Sequence, residues 1–172
     1  MLPEYRLLHS KLSDNELFLY NYAAELNFAG YYEESLSISR ECEHIWADYD
    51  LQMLIADNYQ QLNNYAEAEQ HYRKAAVMCP VKFMPLYSLA KMYNATERRN
   101  EAVVLAEKIV NKPIKISSPT ITAIQRDMMR LIEGEQNSGL EFENQVNNQL
   151  QNNKTGQGEM QGIEQSGKAL PP

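Results

Sequence analysis

Residue types that can perform chemistry are present in this 172-residue chain, but their spacing forms no catalytic or metal-binding motif. The three histidines, His9, His44 and His71, are far apart and lack the paired spacing of a metal-binding helix such as HExxH. The two cysteines, Cys42 and Cys79, do not form a CxxC pair. We therefore predict no metal site and no cofactor.

Carboxylate pairs could support general acid–base catalysis, and the chain has several, such as Glu33 with Glu34 and Glu41 with Glu43. These pairs fall on helical faces that we expect to be solvated. The sequence has no GxSxG nucleophile motif and no phosphate-binding glycine loop. We predict that the protein is not an enzyme and has no catalytic residues.

The sequence is acidic, and its negative charge disfavours some classes of binding partner. The formal net charge is −7 at pH 7, which disfavours nucleic acid and anionic membrane surfaces, because clustered Lys and Arg side chains bind phosphate. The one basic cluster, Arg98–Arg99, is expected in a solvated turn. We therefore predict a protein or peptide as the partner and no nucleic acid.

The sequence gives no sign of a membrane-spanning or exported segment. No window approaches the ~20 apolar residues that a spanning helix needs. The first residues lack the apolar stretch of a secretory signal. We predict no direct membrane insertion by this segment. We expect a soluble, cytoplasmic protein if the chain is complete, and membrane association if it is an excised domain of a membrane protein.

One sequence pattern occurs three times between Glu16 and Asn111, at a spacing of 33–34 residues. Its copies are clearest from Ala24, from Ala56 and from Ala90. A period of this length is typical of a solenoid built from helical hairpins. One hairpin cannot bury its own apolar face, so stacked neighbours bury it for each other. The pattern predicts an all-α fold.

Each copy divides into a first helix, helix A, and a second helix, helix B, joined by a tight turn. Gly30 ends the first helix A, because glycine tolerates the left-handed conformation at a helix C-terminus. Asn63 is the next best residue at the equivalent place, whereas Glu97 is a poor one, so we expect the third turn to be more strained or differently shaped. Apolar residues at helical spacing mark helix A in the three copies: Leu19, Tyr22, Ala23 and Leu26; Leu51, Ile55, Ala56 and Tyr59; Leu86, Leu89, Ala90 and Tyr93.

These residues resemble the tetratricopeptide repeat (TPR) family over residues 16–112. The resemblance implies a right-handed superhelical solenoid of antiparallel helix pairs, with about three repeats and capping helices. It implies a binding role and no particular chemistry. The second copy matches the family pattern best, at Ile55, Ala56, Tyr59, Asn63, Tyr65, Ala68, Tyr72, Ala75 and Pro80.

A narrower resemblance covers the run from Cys79 to Tyr93 and the run from Glu107 to Thr120. Both runs look like the C-terminal TPR segment of O-antigen ligase or polymerase-like membrane proteins of Gram-negative bacteria. This resemblance implies a soluble appendage of a protein that assembles surface polysaccharide.

Three segments follow from the pattern and the composition. Residues 1–15 are expected to form an N-terminal capping helix or the second helix of a partial repeat. Residues 16–133 are the predicted solenoid, which ends in a capping helix that begins at Ser118. Residues 134–172 hold six of the seven glycines among Gln, Asn and Glu, and we predict that this tail is disordered. The predicted apolar stripe of the C-terminal capping helix is Ile121, Ile124, Met128 and Leu131.

Helix A lines the inner groove in TPR proteins, so the resemblance places the partner-binding residues beside its core stripe. Aromatic and methionine side chains can anchor a peptide there, and amides can hydrogen-bond its backbone. Tyr20, Phe28 and Tyr87 could instead pack against neighbouring repeats. The predicted groove residues are Leu17, Tyr20, Asn21, Asn27 and Phe28; Asp50, Met53, Asp57, Gln60 and Gln61; and Met84, Tyr87, Lys91 and Asn94.

The carboxylate clamp of chaperone-binding TPR proteins is absent from this sequence. The clamp needs Lys, Arg and Asn side chains at set places in the groove helices. The equivalent places here hold Tyr20, Ala24, Leu54, Met84 and Ser88. We therefore predict that the groove does not bind the acidic C-termini of chaperones.

Two residue classes are assigned to the contacts between repeats. The aromatic residues Tyr31, Trp46 and Tyr49 are expected to fill the seam between repeats. Cys42 and Cys79 fall in adjacent repeats and lie too far apart for a disulfide, which needs Cα atoms within about 7 Å. We expect both cysteines to be free thiols.

The sequence thus predicts a non-catalytic interaction module that binds a peptide or protein surface through its concave groove. One alternative is a structural scaffold or self-association module whose groove is occupied by its own chain. Another is an enzyme or sugar-binding part of a polysaccharide-assembly machine; Tyr20, Phe28 and Tyr87 are the only aromatic residues available to bind sugar.

Overall fold

The computed structural model describes residues 1–114 and 116–134, and the regular structure of this part of the chain is entirely helical. The hairpin pattern of the sequence therefore appears as a series of helices of similar length. They are α1 (Leu2–Leu12), α2 (Glu16–Phe28), α3 (Tyr32–Ile45), α4 (Tyr49–Gln61), α5 (Tyr65–Met78), α6 (Met84–Ala95), α7 (Arg99–Val110) and α8 (residues 119–134).

Two compact units divide the sequence, Met1–Met129 and Arg130–Pro172. Of the second unit the structure describes only residues 130–134, which are helical. Apart from Gly134, the predicted tail of residues 134–172 lies outside the described residues. The repeat architecture belongs to the first unit.

Three A–B hairpins form the repeats: α2 with α3, α4 with α5, and α6 with α7. Each helix B also contacts helix A of the next hairpin, as α3 does with α4 and α5 does with α6. The contact of α1 with α2 follows the same order, so α1 takes the position of a helix B. Its register agrees, because α1 ends at Leu12, which lies 33 residues before the last residue of α3, Ile45.

The three A-to-B turns share one backbone geometry. Gly30, Asn63 and Glu97 have φ angles of 84°, 58° and 61°, all in the left-handed region. In each turn the next amide donates to the carbonyl five residues before it, at 2.9 Å in all three cases. Glu97 adopts this conformation although its β-carbon makes it unfavourable by roughly 1–2 kcal/mol. The third turn therefore carries the expected strain but has the same shape as the others.

Side-chain caps set the start of two A helices. The carboxamide of Asn15 and the carboxylate of Asp48 accept hydrogen bonds from the amides three residues further on, at 2.8 and 2.9 Å. Ser118 does the same at the start of α8, at 3.2 Å. Such caps typically contribute about 1 kcal/mol each. The caps on α2 and α4 lie 33 residues apart, so the period fixes the helix starts as well as the core.

Small residues bring the helices into close contact. The predicted core stripe of helix A is buried, except that Tyr59 and Leu86 are only half-buried. Of the predicted stripe of α8, Ile124 and Met128 are buried. A bulky residue at such contacts overpacks the core, typically at about 1–3 kcal/mol. The alanines with no exposed surface are Ala23, Ala56, Ala68, Ala75, Ala90, Ala102 and Ala106.

A buried polar cluster joins α2, α3 and α4. The Nδ2 atom of Asn58 donates to Ser35 Oγ at 2.8 Å and to the carbonyl of Leu54 at 3.0 Å. Ser35 in turn donates its hydroxyl proton to the carbonyl of Ala23 at 2.7 Å. Because buried polar groups need partners, these bonds fix how the second helix A packs on the first hairpin.

The prediction that aromatic residues fill the seams is wrong for two of the three. Trp46 is 60% exposed and Tyr31 is 47% exposed. Trp46 follows the last residue of α3 and Tyr31 precedes the first, so both lie where the chain turns at the surface. Tyr49 is half-buried, and the ammonium group of Lys82 lies 5.5 Å from its ring centroid.

Arg98 lies in a turn, as predicted, and its side chain is 38% exposed, but it also makes ion pairs that the sequence did not predict. Its guanidinium forms ion pairs with Glu69 at 2.7 Å and with Glu101 at 2.5 Å. It also lies 4.0 Å from the ring centroid of Tyr93. The physical reason is the stacking of the repeats, since the turn before α7 lies against helix B of the preceding repeat.

Both cysteines are free thiols, as predicted. Cys42 is buried, and its thiol donates to the carbonyl of Glu16 at 3.4 Å. Burial raises the pKa of the Cys42 thiol, and the nearby charge of Asp48 raises it further. A protonated, buried thiol of this kind behaves as a small core residue.

Candidate binding groove

Two of the A helices, α2 and α4, approach each other directly within the repeat stack, whereas no contact of similar extent joins α3 to α5 in the described part of the chain. Across this approach, Asn27 Nδ2 on α2 donates to Asn58 Oδ1 on α4 at 3.0 Å. The residues of α2 and α4 beside the core stripe are therefore candidates for the concave side.

A pocket of about 420 Å³ opens at one end of this groove, between the first turns of α2 and α4. Leu17 and Tyr20 contribute one part of its wall and Trp46 another. Leu17 is 65% exposed and Trp46 is 60% exposed, so both present apolar surface to solvent. The full lining is Glu16, Leu17, Tyr20, Cys42, Trp46, Asp48, Asp50 and Leu51.

Carboxylates surround the phenol of Tyr20. Partial burial raises the pKa of Tyr20, and the charges of Asp50, Asp48 and Asp57 raise it further. The pKa of Tyr49 is raised in the same way, first by burial and then by Asp50. The shared causes show that the acids of α4 lie close to both phenols, so this part of the groove has a negative potential.

A polar cluster around the hydroxyl of Tyr72 lies further along the groove. Tyr72 is buried in α5, and its hydroxyl donates to Asp57 Oδ1 at 2.5 Å. The side-chain amide of Gln60 lies 3.0 Å from the same hydroxyl. The atom of Gln60 nearest the hydroxyl is the acceptor Oε1, and because a hydroxyl has a single proton, Asp57 and Gln60 compete for it, with Asp57 at the shorter distance. Helix B thus supplies a fixed polar atom beneath the residues of helix A.

Asp57 is both accessible and desolvated, as expected for a residue in a concave wall. Its side chain is exposed, yet the surrounding protein raises its pKa, and the hydrogen bond from Tyr72 offsets part of that rise. The Asp57 carboxylate is therefore accessible from solvent and already accepts a hydrogen bond from Tyr72.

The third part of the groove lies between α6 and α8. The hydroxyl of Tyr87 donates to Asp127 Oδ2 at 2.8 Å. The ammonium group of Lys91 lies 5.5 Å from the ring centroid of Tyr87. Tyr87 is therefore held in place by its neighbours, and its hydrogen bond to Asp127 places this part of α8 beside α6.

The remaining predicted groove residues differ in their exposure. Phe28, the last residue of α2, is 91% exposed and packs against no neighbouring repeat. Met84 is 40% exposed and Met53 is half-buried. Asn21, Gln61 and Asn94 are exposed on α2, α4 and α6.

Besides Cys42 and Leu51, which the sequence pattern places in the core, four residues at the groove were missed by the sequence analysis. Glu16, Trp46 and Asp48 line the pocket, and Asp127 binds Tyr87. Asp48 could have been found, because it lies 33 residues after the N-cap Asn15. The other three carry no local sequence signal. Trp46 lies in the loop after α3, Glu16 is the first residue of α2, and Asp127 lies on α8, which the sequence predicts only as a capping helix.

A second pocket, of about 520 Å³, lies among the ends of α5, α6 and α7. It is lined by aliphatic residues and prolines, with Lys108 and Lys112 at its edge and no aromatic side chain. Lys112 is already engaged, because its ammonium group donates to the carbonyl of Lys82 at 2.6 Å and lies 4.6 Å from the ring centroid of Phe83. The aromatic pocket at α2 and α4 is the better candidate for an anchoring site.

Two of the three histidines, His9 and His71, have structural partners. A ring nitrogen of His9 lies 2.8 Å from Glu41 Oε2, and Nδ1 of His71 lies 2.8 Å from Gln52 Oε1. Burial lowers the pKa of His71, and the charge of Lys74 lowers it further. Within residues 1–114 and 116–134, no group of three or more His, Cys, Asp or Glu side chains could hold a metal ion.

Comparison with known proteins finds similarity in structure alone. No family model matches this chain, and no curated protein matches it. A crystal structure of MamA superposes with a TM-score of 0.62 at 10% sequence identity, over 77% of this chain and 82% of that one. A second crystal structure of MamA gives 0.61 at 12% identity, over 99% of this chain and 87% of that one.

The fold is a TPR-type solenoid. The superposition agrees with the repeated hairpins, the common turn geometry and the all-helical character of the described chain. At these identities the likeness shows the fold and does not extend to a ligand or a partner. Among the described helices, none has the length and apolarity needed to span a bilayer.

Proposed function

We propose that the protein is a non-catalytic interaction module that binds a peptide or a protein surface along the groove of α2, α4 and α6. Solenoids of stacked helix pairs provide extended concave surfaces for partners. A segment lying in such a groove contacts several repeats at once, so its affinity is the sum of small contributions from each.

Accessible apolar surface on the inner side is the observation that carries this proposal. Leu17 is 65% exposed, Trp46 is 60% exposed and Met84 is 40% exposed. Large apolar and aromatic side chains become binding anchors when a partner removes them from water. Asp57 and Gln60 lie between them and offer hydrogen-bond partners that are already oriented by Tyr72.

Two narrower roles stand beside this proposal. Self-association, with the groove occupied by a second copy or by the chain itself, would use the same surface. A role in surface-polysaccharide assembly rests on the resemblance of residues 79–93 and 107–120 alone and is not needed for the groove to bind.

The test compares three versions of the protein in capture from lysate of the source cells, followed by mass spectrometry. The groove variant carries Leu17→Ser, Trp46→Ser and Met84→Ser. The control variant carries Val77→Ser, Val81→Ser and Val104→Ser, which are 78%, 68% and 64% exposed and lie outside the groove. We expect a partner that is captured by the wild type and the control and lost with the groove variant.

Equal capture by all three versions would contradict the proposal. Light scattering over a range of protein concentrations separates the self-association alternative. A mass that rises with concentration in the wild type and not in the groove variant would assign the groove to a second copy. Circular dichroism melts of both variants establish that each remains folded.

A further inference from the structure

The pocket between α2 and α4 has a composition that selects the charge of its occupant. Three carboxylates, Glu16, Asp48 and Asp50, stand among its eight lining residues, and no Lys or Arg does. Asp48 accepts a hydrogen bond from the amide of Leu51 at 2.9 Å, and this bond leaves its negative charge in place. The electrostatic environment is therefore that of a cation site.

The helix N-termini at the pocket act in the opposite direction but do not cancel the carboxylates. Each N-terminus is equivalent to about half a positive charge, so α2 and α4 together contribute about one. Three carboxylates outweigh this sum. The neighbouring Asp57 adds further negative potential, as the raised pKa of Tyr20 indicates.

The walls of the pocket suit the shape of a long basic side chain. Leu17 and Leu51 offer aliphatic surface for a methylene stem, and the rings of Tyr20 and Trp46 offer faces for an ammonium or guanidinium group. The volume of about 420 Å³ falls within the range of ligand pockets and exceeds what one such side chain needs. Aromatic faces next to carboxylates favour cations over neutral polar groups.

We propose that this pocket receives a lysine or arginine side chain of the bound segment, so that the ligand is a basic peptide. This inference rests on the proposed function, because it names the chemistry of the segment that the groove holds. It is opposite in charge to the ligand of a carboxylate clamp. It also fixes where the basic residue lies, at the α2–α4 end, away from Lys91 on α6.

The test uses a displayed library of random peptides, panned on the full chain at low ionic strength. Selected peptides are then measured for binding to three proteins. The pocket variant carries Glu16→Gln and Asp50→Asn. The control variant carries Glu33→Gln and Glu67→Gln, which are also first-turn acids and change the net charge by the same amount, but lie on α3 and α5 outside the pocket.

We expect the selected peptides to be enriched in Lys or Arg and to bind the pocket variant about tenfold more weakly than the control. Raising the salt concentration should weaken binding to the wild type more than to the pocket variant, because screening acts on the exposed carboxylates. Replacement of the basic residue of a selected peptide by norleucine should reproduce the loss.

Three other outcomes overturn the inference and are distinguishable. In the first, the selected peptides lack basic residues and bind the wild type and the pocket variant equally, but do not bind the groove variant (Leu17→Ser, Trp46→Ser and Met84→Ser). This outcome would reject the basic ligand and leave the proposed groove function standing. Selection of no peptide that depends on the groove would reject both. Equal losses in the pocket and control variants would assign the effect to net charge and reject the pocket.

Discussion

The ring of Tyr5 lies parallel to the ring of Tyr22, with 5.3 Å between the centroids and 2° between the planes. His9 meets the same Tyr22 ring edge-on at 5.7 Å. Arg6, the residue after Tyr5 on α1, forms an ion pair with Glu34 on α3 at 2.9 Å. α1 therefore packs on both helices of the first hairpin, and residues that precede the first repeat complete its core.

Tyr5→Ala should lower the free energy of unfolding by about 2 kcal/mol, since a partly buried aromatic ring and its stacking partner are lost. Urea denaturation followed by circular dichroism measures the change. Leu7→Ala, two residues further along α1, is the control, because Leu7 is 76% exposed. A loss for Tyr5→Ala no larger than that of the control would mean that α1 is not part of the core.

Asn58→Ala should lower the free energy of unfolding by about 1–3 kcal/mol, because Ser35 and the carbonyl of Leu54 lose a buried donor. Asn94→Ala is the matched control, an exposed asparagine on α6, and should change stability by less than about 0.5 kcal/mol. Equal effects in urea denaturation would show that the buried polar cluster contributes nothing specific.

Glu97→Gly should raise the free energy of unfolding by about 1 kcal/mol, because it removes the β-carbon from a left-handed position. The comparison is Glu107→Gly, in the interior of α7, where glycine should lower stability by about 0.5–1 kcal/mol. Thermal melts of both variants measure the two changes in stability, which should be opposite in sign. A decrease for Glu97→Gly would show that the Glu97 side chain stabilises the turn by more than its backbone strain.

Glu69 should make stability depend on pH. Burial raises the pKa of Glu69, but hydrogen bonds from Tyr93, Arg98 and Arg73 outweigh it, so the pKa lies below its ordinary value of 4.5. A carboxylate with a lowered pKa stabilises the folded state above that ordinary value, and the contribution is lost as the pH falls through the lowered one.

Glu69→Gln should therefore be less stable than the wild type by about 1 kcal/mol at pH 7. The difference should close as the pH falls below 4.5, where the wild type loses the same interaction. Urea denaturation at a series of pH values measures it. Glu107→Gln, exposed on α7, is the control and should show no such trend. A constant difference across the series would mean that packing, not charge, accounts for the effect.

The helical repeat could be predicted because its determinants are local. The stripe of helix A depends on residues three and four positions apart, and the turns depend on a left-handed residue at Gly30, Asn63 and Glu97. Spacing alone also separates Cys42 from Cys79. Such features need no knowledge of which helices meet in space.

The contents of the groove could be predicted only in part, since they depend on contacts between distant segments. Trp46 was assigned to a seam, and only the packing of α3 against α4 places it at a pocket. The ion pair of Arg98 with Glu69 could not be predicted, because Glu69 lies 29 positions before it on another repeat. Asp127 lies beside Tyr87 although the two residues are 40 positions apart, and the broken period after α7 conceals this contact.

Trp46 gives the pocket its own optical reporter, because it is the only tryptophan in the chain. Its indole is largely in water in the empty groove, so emission should be red-shifted and easily quenched by iodide. A ligand that covers the ring should shift the emission to shorter wavelength and protect it from the quencher. Fluorescence titration of the unlabelled protein therefore follows occupancy of this one position, whichever segment proves to be the partner.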